Sequence, residues 1–182
     1  MSDDDDQLAL AAFRRGDREA FVALVVRYQR PIYNAALWIL RRPEDANDVA
    51  QTAFLRVVEK LDDYDPRYRF FSWLYRIAVN EALDLLRRRD REEPLDDGFD
   101  AADGDAAGPE HALATSQATR NLHEALMKLS VADRTVLTLR HFGELGYDEI
   151  ARALDIDEKT VKSRLFEARR RLRAHVGPNG EA

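Results

Sequence analysis

Residues 147–173 read YDEIARALDIDEKTVKSRLFEARRRLR, and the spacing of their apolar side chains decides the fold of the C-terminal half. Tyr147 to Leu154 predicts a short helix with Ile150, Ala151 and Leu154 turned inward. Asp155-Ile156-Asp157 predicts a tight turn, and Asp157 is a good N-cap for a second helix beginning at Glu158. On that helix Val161, Leu165, Ala168 and Leu172 fall on one buried stripe. Small Ala151 lets the two helices cross closely, and Ile156 plugs the turn. This is the pattern of a helix-turn-helix. Glycine is usual where Asp155 stands, but aspartate tolerates the left-handed backbone better than most residues.

The buried stripe also fixes what faces outward. Lys159, Lys162, Ser163 and Phe166, with Thr160 beside them, project from the first turns of the second helix, the part that enters the DNA major groove in this motif. Arg164, Arg169 and Arg170, followed by Arg171 and Arg173, are candidate phosphate contacts, each adding a salt-dependent and sequence-blind contribution. The plainer alternative is a solvated basic helix in an ordinary αα-hairpin, since cations favour helix C-termini.

The 182 residues permit one ordinary domain or two small ones, and 45% hydrophobic content is enough for a core. The absence of cysteine excludes disulfides, a thiolate nucleophile and cysteine-based zinc sites. His111, His123, His141 and His175 are far apart and match no metal-ligand spacing, so neither metal nor cofactor is expected. No nucleophile–base pair or Gly-rich phosphate loop supports an enzyme. The start, MSDDDDQ, is acidic, and no apolar run of about 18 residues is present; a cytoplasmic protein without membrane insertion is expected. A net charge of -6 argues against a nucleic-acid partner only until its distribution is read. Carboxylates crowd residues 3–6 and 90–110, whereas the stretch from Glu158 to His175 is strongly basic.

Gln7 to Arg89 reads as helix after helix. One stripe runs Phe21, Leu24, Val25, Tyr28, Ile32, Ala35; another runs Val49, Ala53, Phe54, Val57, Leu61. Pro31 and Pro43 punctuate, Pro43 opening a helix after Arg41-Arg42. Asp62 to Arg69 is a polar and aromatic break around Pro66, and Phe71 to Arg89 is helical again. Residues 90–109, rich in Asp, Gly, Ala and Pro, cannot bury enough surface to offset ordering and read as a linker. Helices return from Glu110, where Leu122, Leu126 and Leu129 share a face and Ser130 starts a capping-box-like turn. The expectation is an all-α protein of two small helical domains, residues 1–89 and 110–182, joined by an acidic flexible linker.

Tyr64, Tyr68, Phe70, Phe71 and Trp73 lie beside Arg67, Arg69 and Arg76. Aromatics interleaved with cations suit unstacked single-stranded bases, and a flipped base needs a pocket, here the 63–70 loop together with Asn80. The alternative for Phe71, Trp73 and Leu74 is core, which is the favoured reading of Trp73, whereas Tyr68, Arg69 and Asn80 are read as DNA contacts. Asp45, Asp48, Gln51 and Arg56 mark the polar side of a helix whose other side is apolar, which on its own reads as a solvated face.

Taken together, DANDVAQTAFLRVV (45–58), FFSWLYRIAVNEALDLLRRR (70–89) and the helix-turn-helix resemble a bacterial sigma factor of the extracytoplasmic-function (ECF) group of the sigma-70 family, over nearly the whole chain. The resemblance implies a region 2 domain and a region 4 domain, and a factor that directs core polymerase to specific promoters and initiates transcription. It implies that Asp45, Asp48, Gln51, Phe54 and Arg56 dock on the β and β′ subunits of core RNA polymerase. It implies that Tyr64, Arg67, Tyr68, Arg69, Phe70, Arg76, Asn80, Arg87 and Arg88 read and melt the -10 DNA, and that the helix-turn-helix reads the -35 DNA. The linker would thread toward the RNA exit path, its charge mimicking nucleic acid, the alternative being a merely solubilising tether. Asn47 and Thr52 stand where the family usually has acids. Some relatives lacking them are activated by threonine phosphorylation, so Thr52 is a candidate phosphorylation site for a Ser/Thr kinase, set against an ordinary anti-sigma factor. The competing reading is a stand-alone helix-turn-helix regulator, which would not need the 45–58 and 64–76 segments.

Overall fold

Apolar stripes at helical spacing dictate an all-helical chain. A computed structural model describes residues 3–92 and 117–176, and among these eight α-helices and no strand are found. The N-terminal half contains α1 (Asp3–Arg14), α2 (Arg18–Leu40), α3 (Pro43–Glu59) and α4 (Phe70–Glu92), with a short 3-10 turn at Leu61–Asp63 before α4. The C-terminal half contains α5 (Gln117–Met127), α6 (Val131–His141), α7 (Tyr147–Leu154) and α8 (Glu158–Val176). The stretch read as a linker lies outside the described residues beyond Glu92, and Asp90 to Glu92 continue α4.

The core of the first half is built from the predicted stripes. Leu24, Ile32 and Ala35 of α2 meet Val49, Ala53, Phe54 and Val57 of α3 and Leu74, Ala78 and Val79 of α4, all buried. Each large side chain removed from water in this way stabilises by about 1.5–3 kcal/mol. Pro31 does not punctuate. It lies inside α2. A proline there removes one helical hydrogen bond at a cost of about 3 kcal/mol, and the burial of Leu24, Ile32, Ala36 and Ile39 on either side offsets that loss. Arg41 closes α2 in the left-handed conformation at φ 59°, and Pro43 sits in the first turn of α3, as its sequence position suggests.

The N-terminus differs from the sequence expectation. The helix starts within the aspartate run, and Asp6 is buried, where it accepts hydrogen bonds from Arg27 and from the Tyr28 hydroxyl on α2. The helix then braces the loop before α4: Gln7 Nε2 donates to the Pro66 carbonyl at 2.8 Å, and Arg14 donates to the Leu61 carbonyl at 2.7 Å. The sequence reading begins the helices at Gln7; a charge paired within a buried site has no local signature.

The sequence left the placement of the halves open. In the structure α2 and α4 pack on α6 and α7. Trp38 meets Phe142 at a ring-centroid separation of 4.2 Å, and Ser72 Oγ donates to the Gly143 carbonyl at 2.9 Å. Gly143 is required here: a Cβ would stand 2.7 Å from the Tyr75 ring and 2.9 Å from the Leu139 carbonyl.

Candidate nucleic-acid interface

The helix-turn-helix forms as its sequence dictates. Asp155 ends α7 in the left-handed conformation at φ 52°, the position glycine would otherwise fill. Asp157 caps α8, accepting from the Thr160 backbone N–H and from the Thr160 hydroxyl, both at 2.8 Å. These bonds hold the Asp157 carboxyl below its usual range, the Thr160 backbone contribution being the largest. Ile150, Ala151, Val161, Leu165 and Ala168 are buried, and Leu154, Ile156 and Leu172 pack against them. At the start of α7, Glu149 reaches back to accept the Gly146 N–H at 2.7 Å.

The outward face of α8 carries Lys159, Lys162, Ser163, Arg164 and Phe166, all exposed, Phe166 at 67%. Lys162 lies 3.4 Å from Glu158 and sits over the Tyr147 ring. Thr160 is half-buried, and its hydroxyl is already engaged by Asp157. Farther along, the arginines divide. Arg171 is fastened to Asp133, a buried side chain on α6, and serves to anchor the helix. Arg169 contacts the His141 ring at 3.3–3.4 Å, and Arg170 pairs with Glu167 at 2.6 Å.

A second constellation surrounds the 61–70 loop. Tyr64 is buried between Phe70 and Trp73, with ring centroids at 5.9 and 5.1 Å, and its hydroxyl donates to the Tyr68 carbonyl at 2.8 Å. Arg67 folds back on Asp65, its backbone N–H and its guanidinium both donating to that carboxylate. Tyr68 is exposed at 38%. A cleft of about 240 Å³ opens here, lined by Asp63, Tyr68, Trp73 and Arg76 on one side and by Leu145, Glu149 and Arg152 on the other. Arg76 is half-buried; desolvation and the neighbouring Arg152 draw its pKa down, with Glu149 opposing. Asn80 is half-buried one helical turn beyond Arg76.

Two family models match the two halves: Sigma-70 region 2 over residues 24–92, and Sigma-70, region 4 over residues 119–172. The chain is 33% identical to the RNA polymerase sigma-H factor of Pseudomonas aeruginosa, over 98% of this chain and 97% of that one. It is 32% identical to the ECF RNA polymerase sigma factor SigW of Bacillus subtilis, over 90% of this chain and 92% of the other. The chain belongs to the ECF group of the sigma-70 family. Among solved structures it resembles CnrH in complex with the cytosolic domain of CnrY, with a TM-score of 0.61 and 28% identity over 93% of this chain and 96% of that one.

Seen as a sigma factor, the molecule carries region 2 on α2–α4 and region 4 on α5–α8. Several residues expected to touch partners are placed elsewhere. Phe54, Tyr64 and Phe70 are buried core side chains, because each lies on the apolar stripe of its element or closes the aromatic cluster, although Tyr64 also lines the cleft. Asp45 is only partly exposed and pairs with Arg89 at 2.5 Å, which occupies much of its carboxylate. Arg56 bridges α3 to α4, lying 3.1 Å from Glu81 and 3.0 Å from Glu59. Asp48 and Gln51 are exposed on α3, and Thr52 is half-buried beside them. Arg87 pairs with Asp84 at 2.9 Å, and Arg88 is exposed. Glu149 and Arg152 at the cleft, and Glu144 paired with Arg69, were missed by sequence reasoning, since they belong to the other half and no local pattern places them beside the 63–76 segment. Among the described residues no helix is long and apolar enough to cross a membrane, and no cluster of potential metal ligands occurs.

Proposed function

We propose that this ECF sigma factor grips promoter DNA at two points while docked on core RNA polymerase. Region 4 reads the -35 element with Lys159, Lys162, Ser163, Arg164 and Phe166. Region 2 opens and reads the -10 element with Tyr68, Arg69, Arg76 and Asn80, and Arg87 and Arg88 meet phosphates upstream. The observation that carries this reading is the exposed basic and aromatic face of α8, directly opposite its buried stripe of Val161, Leu165 and Ala168. Neither site alone needs tight binding, because two modest contacts held at fixed spacing raise one another's effective concentration. Asp48 and Gln51, exposed on α3, form the polymerase-docking face together with the accessible edge of Asp45. The activity is non-enzymatic, a promoter specificity lent to the polymerase in the cytoplasm.

Control by an anti-sigma factor is the favoured regulation, supported by the likeness to CnrH, whose structure holds the cytosolic domain of CnrY. A second reading rests on Thr52. It lies one turn before Arg56, so a phosphate there adds roughly -1.5 to -2 charge on the docking side of α3. Core-polymerase pull-down with wild type, Thr52→Ala and Thr52→Glu decides between them. Retention of all three to the same extent excludes the kinase reading; capture of Thr52→Glu alone supports it. Failure of every form to bind core polymerase would overturn the function proposed.

A further inference from the structure

The loop that carries Tyr68 and Arg69 is held by partners far away in sequence. Residues 66–69 are all exposed, so burial does not fix their backbone. Main-chain carbonyls along the loop are nonetheless engaged. The Asp65 carbonyl accepts from the Tyr68 N–H at 3.1 Å, and the Tyr68 carbonyl from the Tyr64 hydroxyl at 2.8 Å. Two further partners come from α1: Arg14 donates to the Leu61 carbonyl and Gln7 to the Pro66 carbonyl. The helix that supplies them is itself pinned. Asp6, next to Gln7, is buried and accepts from Arg27 and from the Tyr28 hydroxyl of α2. Burial, then the bond to Asp6, push that hydroxyl up to about 12, so it remains a donor. The Tyr28 ring stacks on Phe71 at a centroid separation of 5.1 Å and tilts on Phe70 at 5.9 Å, in the first turn of α4. Thus α1 grips the loop at Leu61 and Pro66 and, through Tyr28, the start of the helix that follows. It precedes the residues matched as region 2, so the grip comes from outside that module.

We propose that Gln7 and Arg14 are positioning residues for -10 recognition: from α1 they hold the 61–69 loop in the conformation in which Tyr68 and Arg69 meet the single strand. The inference deepens the assignment of that strand to region 2 and rests on it. An exposed loop samples many conformations. A strand bound to the wrong ones gains phosphate contacts without base selection. A loop ordered beforehand loses no binding free energy to its own ordering. Both bonds lie at or near the surface and contribute modestly to overall stability. Their effect therefore falls on the loop rather than on the fold. In this role neither side chain touches DNA; each acts through a carbonyl of the loop.

The test uses holoenzyme assembled on core RNA polymerase and a pool of single-stranded DNA 12-mers randomised at every position. Sequencing the bound and unbound fractions gives the sequence preference. Gln7→Met/Arg14→Met removes both donors while keeping long side chains and helix propensity. Its melting temperature and its capture of core polymerase should match wild type. Its preference among the 12-mers should fall about tenfold if roughly a tenth of molecules keep the reading conformation, because only the preferred sequences lose affinity by that fraction. Gln7→Lys/Arg14→Lys restores a donor at both positions and should recover the preference. A merely structural role for α1 would lower the amount of DNA bound and leave the preference unaltered. Unaltered preference in Gln7→Met/Arg14→Met overturns the proposal, as does a preference lost only together with a lower melting temperature. Tyr68→Ala tests the pocket assignment separately. If its preference equals that of wild type, the assignment of the -10 strand to this loop fails whatever the methionine variant does. Altered preference in Tyr68→Ala with none in Gln7→Met/Arg14→Met leaves the assignment standing and removes the role given to α1.

Discussion

The guanidinium of Arg89, near the end of α4, pairs with the carboxylate of Asp45 in the first turn of α3. This contact ties the helix proposed to melt DNA to the helix proposed to dock on polymerase. Asp48, one turn later on α3, is exposed. The two acids are alike in sequence and differ in role. Asp45→Asn should lower the melting temperature of region 2 by roughly 4–8 °C, the shift that accompanies about 1 kcal/mol in a domain of this size. Asp48→Asn should leave the melt unchanged and weaken capture of core polymerase. Thermal melts beside a pull-down check both; equal melts for the two variants would show the ion pair contributes nothing.

The turn of the helix-turn-helix sets opposite expectations for two neighbouring aspartates. Asp155→Gly relieves a left-handed backbone and should stabilise region 4 by about 0.5–1 kcal/mol. Asp157→Ala removes the cap that holds Thr160 and should lower the melting temperature by a few degrees. Because the Asp157 carboxyl is held low in the folded state, its contribution is present above the ordinary aspartate range and is lost as pH falls below that range through the lowered value. Melts of the two variants against wild type at neutral pH should move in opposite directions.

His141 links the end of α6 to Arg169 on α8. Burial, then the charges of Arg169 and Arg140, hold its imidazole below the ordinary 6.5. The unfolded chain therefore takes up the proton first as pH falls. The stability contributed is present above about pH 6.5 and lost below it. Region 4 should melt at a lower temperature at about pH 5.5 than at about pH 7.5, and His141→Asn should shrink that difference. A difference of the same size in the variant would place the sensitivity elsewhere.

Much of this fold was legible because it is local. The stripes on α2, α3 and α8, the cap at Asp157 and the left-handed Asp155 all follow from spacing and backbone preference within a few residues. What stayed hidden depended on distant partners. Asp6 is one of four aspartates in an acidic start, and nothing local marks it as buried until Arg27 and Tyr28 are placed beside it. Phe70 and Tyr64 sit in an aromatic and basic segment that suits nucleic acid, yet tertiary packing buries them and leaves Tyr68 and Arg69 outside. Glu149 and Arg152 meet the cleft only through the packing of the two halves, which no periodicity encodes.

On α8, Lys162→Ala and Arg164→Ala should each weaken binding of promoter duplex. Each should also flatten the dependence of log affinity on log salt by about 0.9 if one phosphate contact is lost. A variant that loses affinity at one base position while keeping the wild-type salt slope reads a base instead. Titrations at three salt concentrations separate these outcomes; unaltered binding in both variants would mean that the recognition face lies elsewhere.

The most direct test of a two-point promoter grip is run-off transcription by core RNA polymerase on a library of genomic fragments, with wild type, Arg164→Ala and Asn80→Ala. Wild type is predicted to yield discrete promoter-specific transcripts. Arg164→Ala should lose them through weaker promoter binding, and Asn80→Ala through failure to open a promoter that is still bound. Discrete transcripts from both variants at wild-type level, or none from wild type in the presence of active core polymerase, would contradict the account.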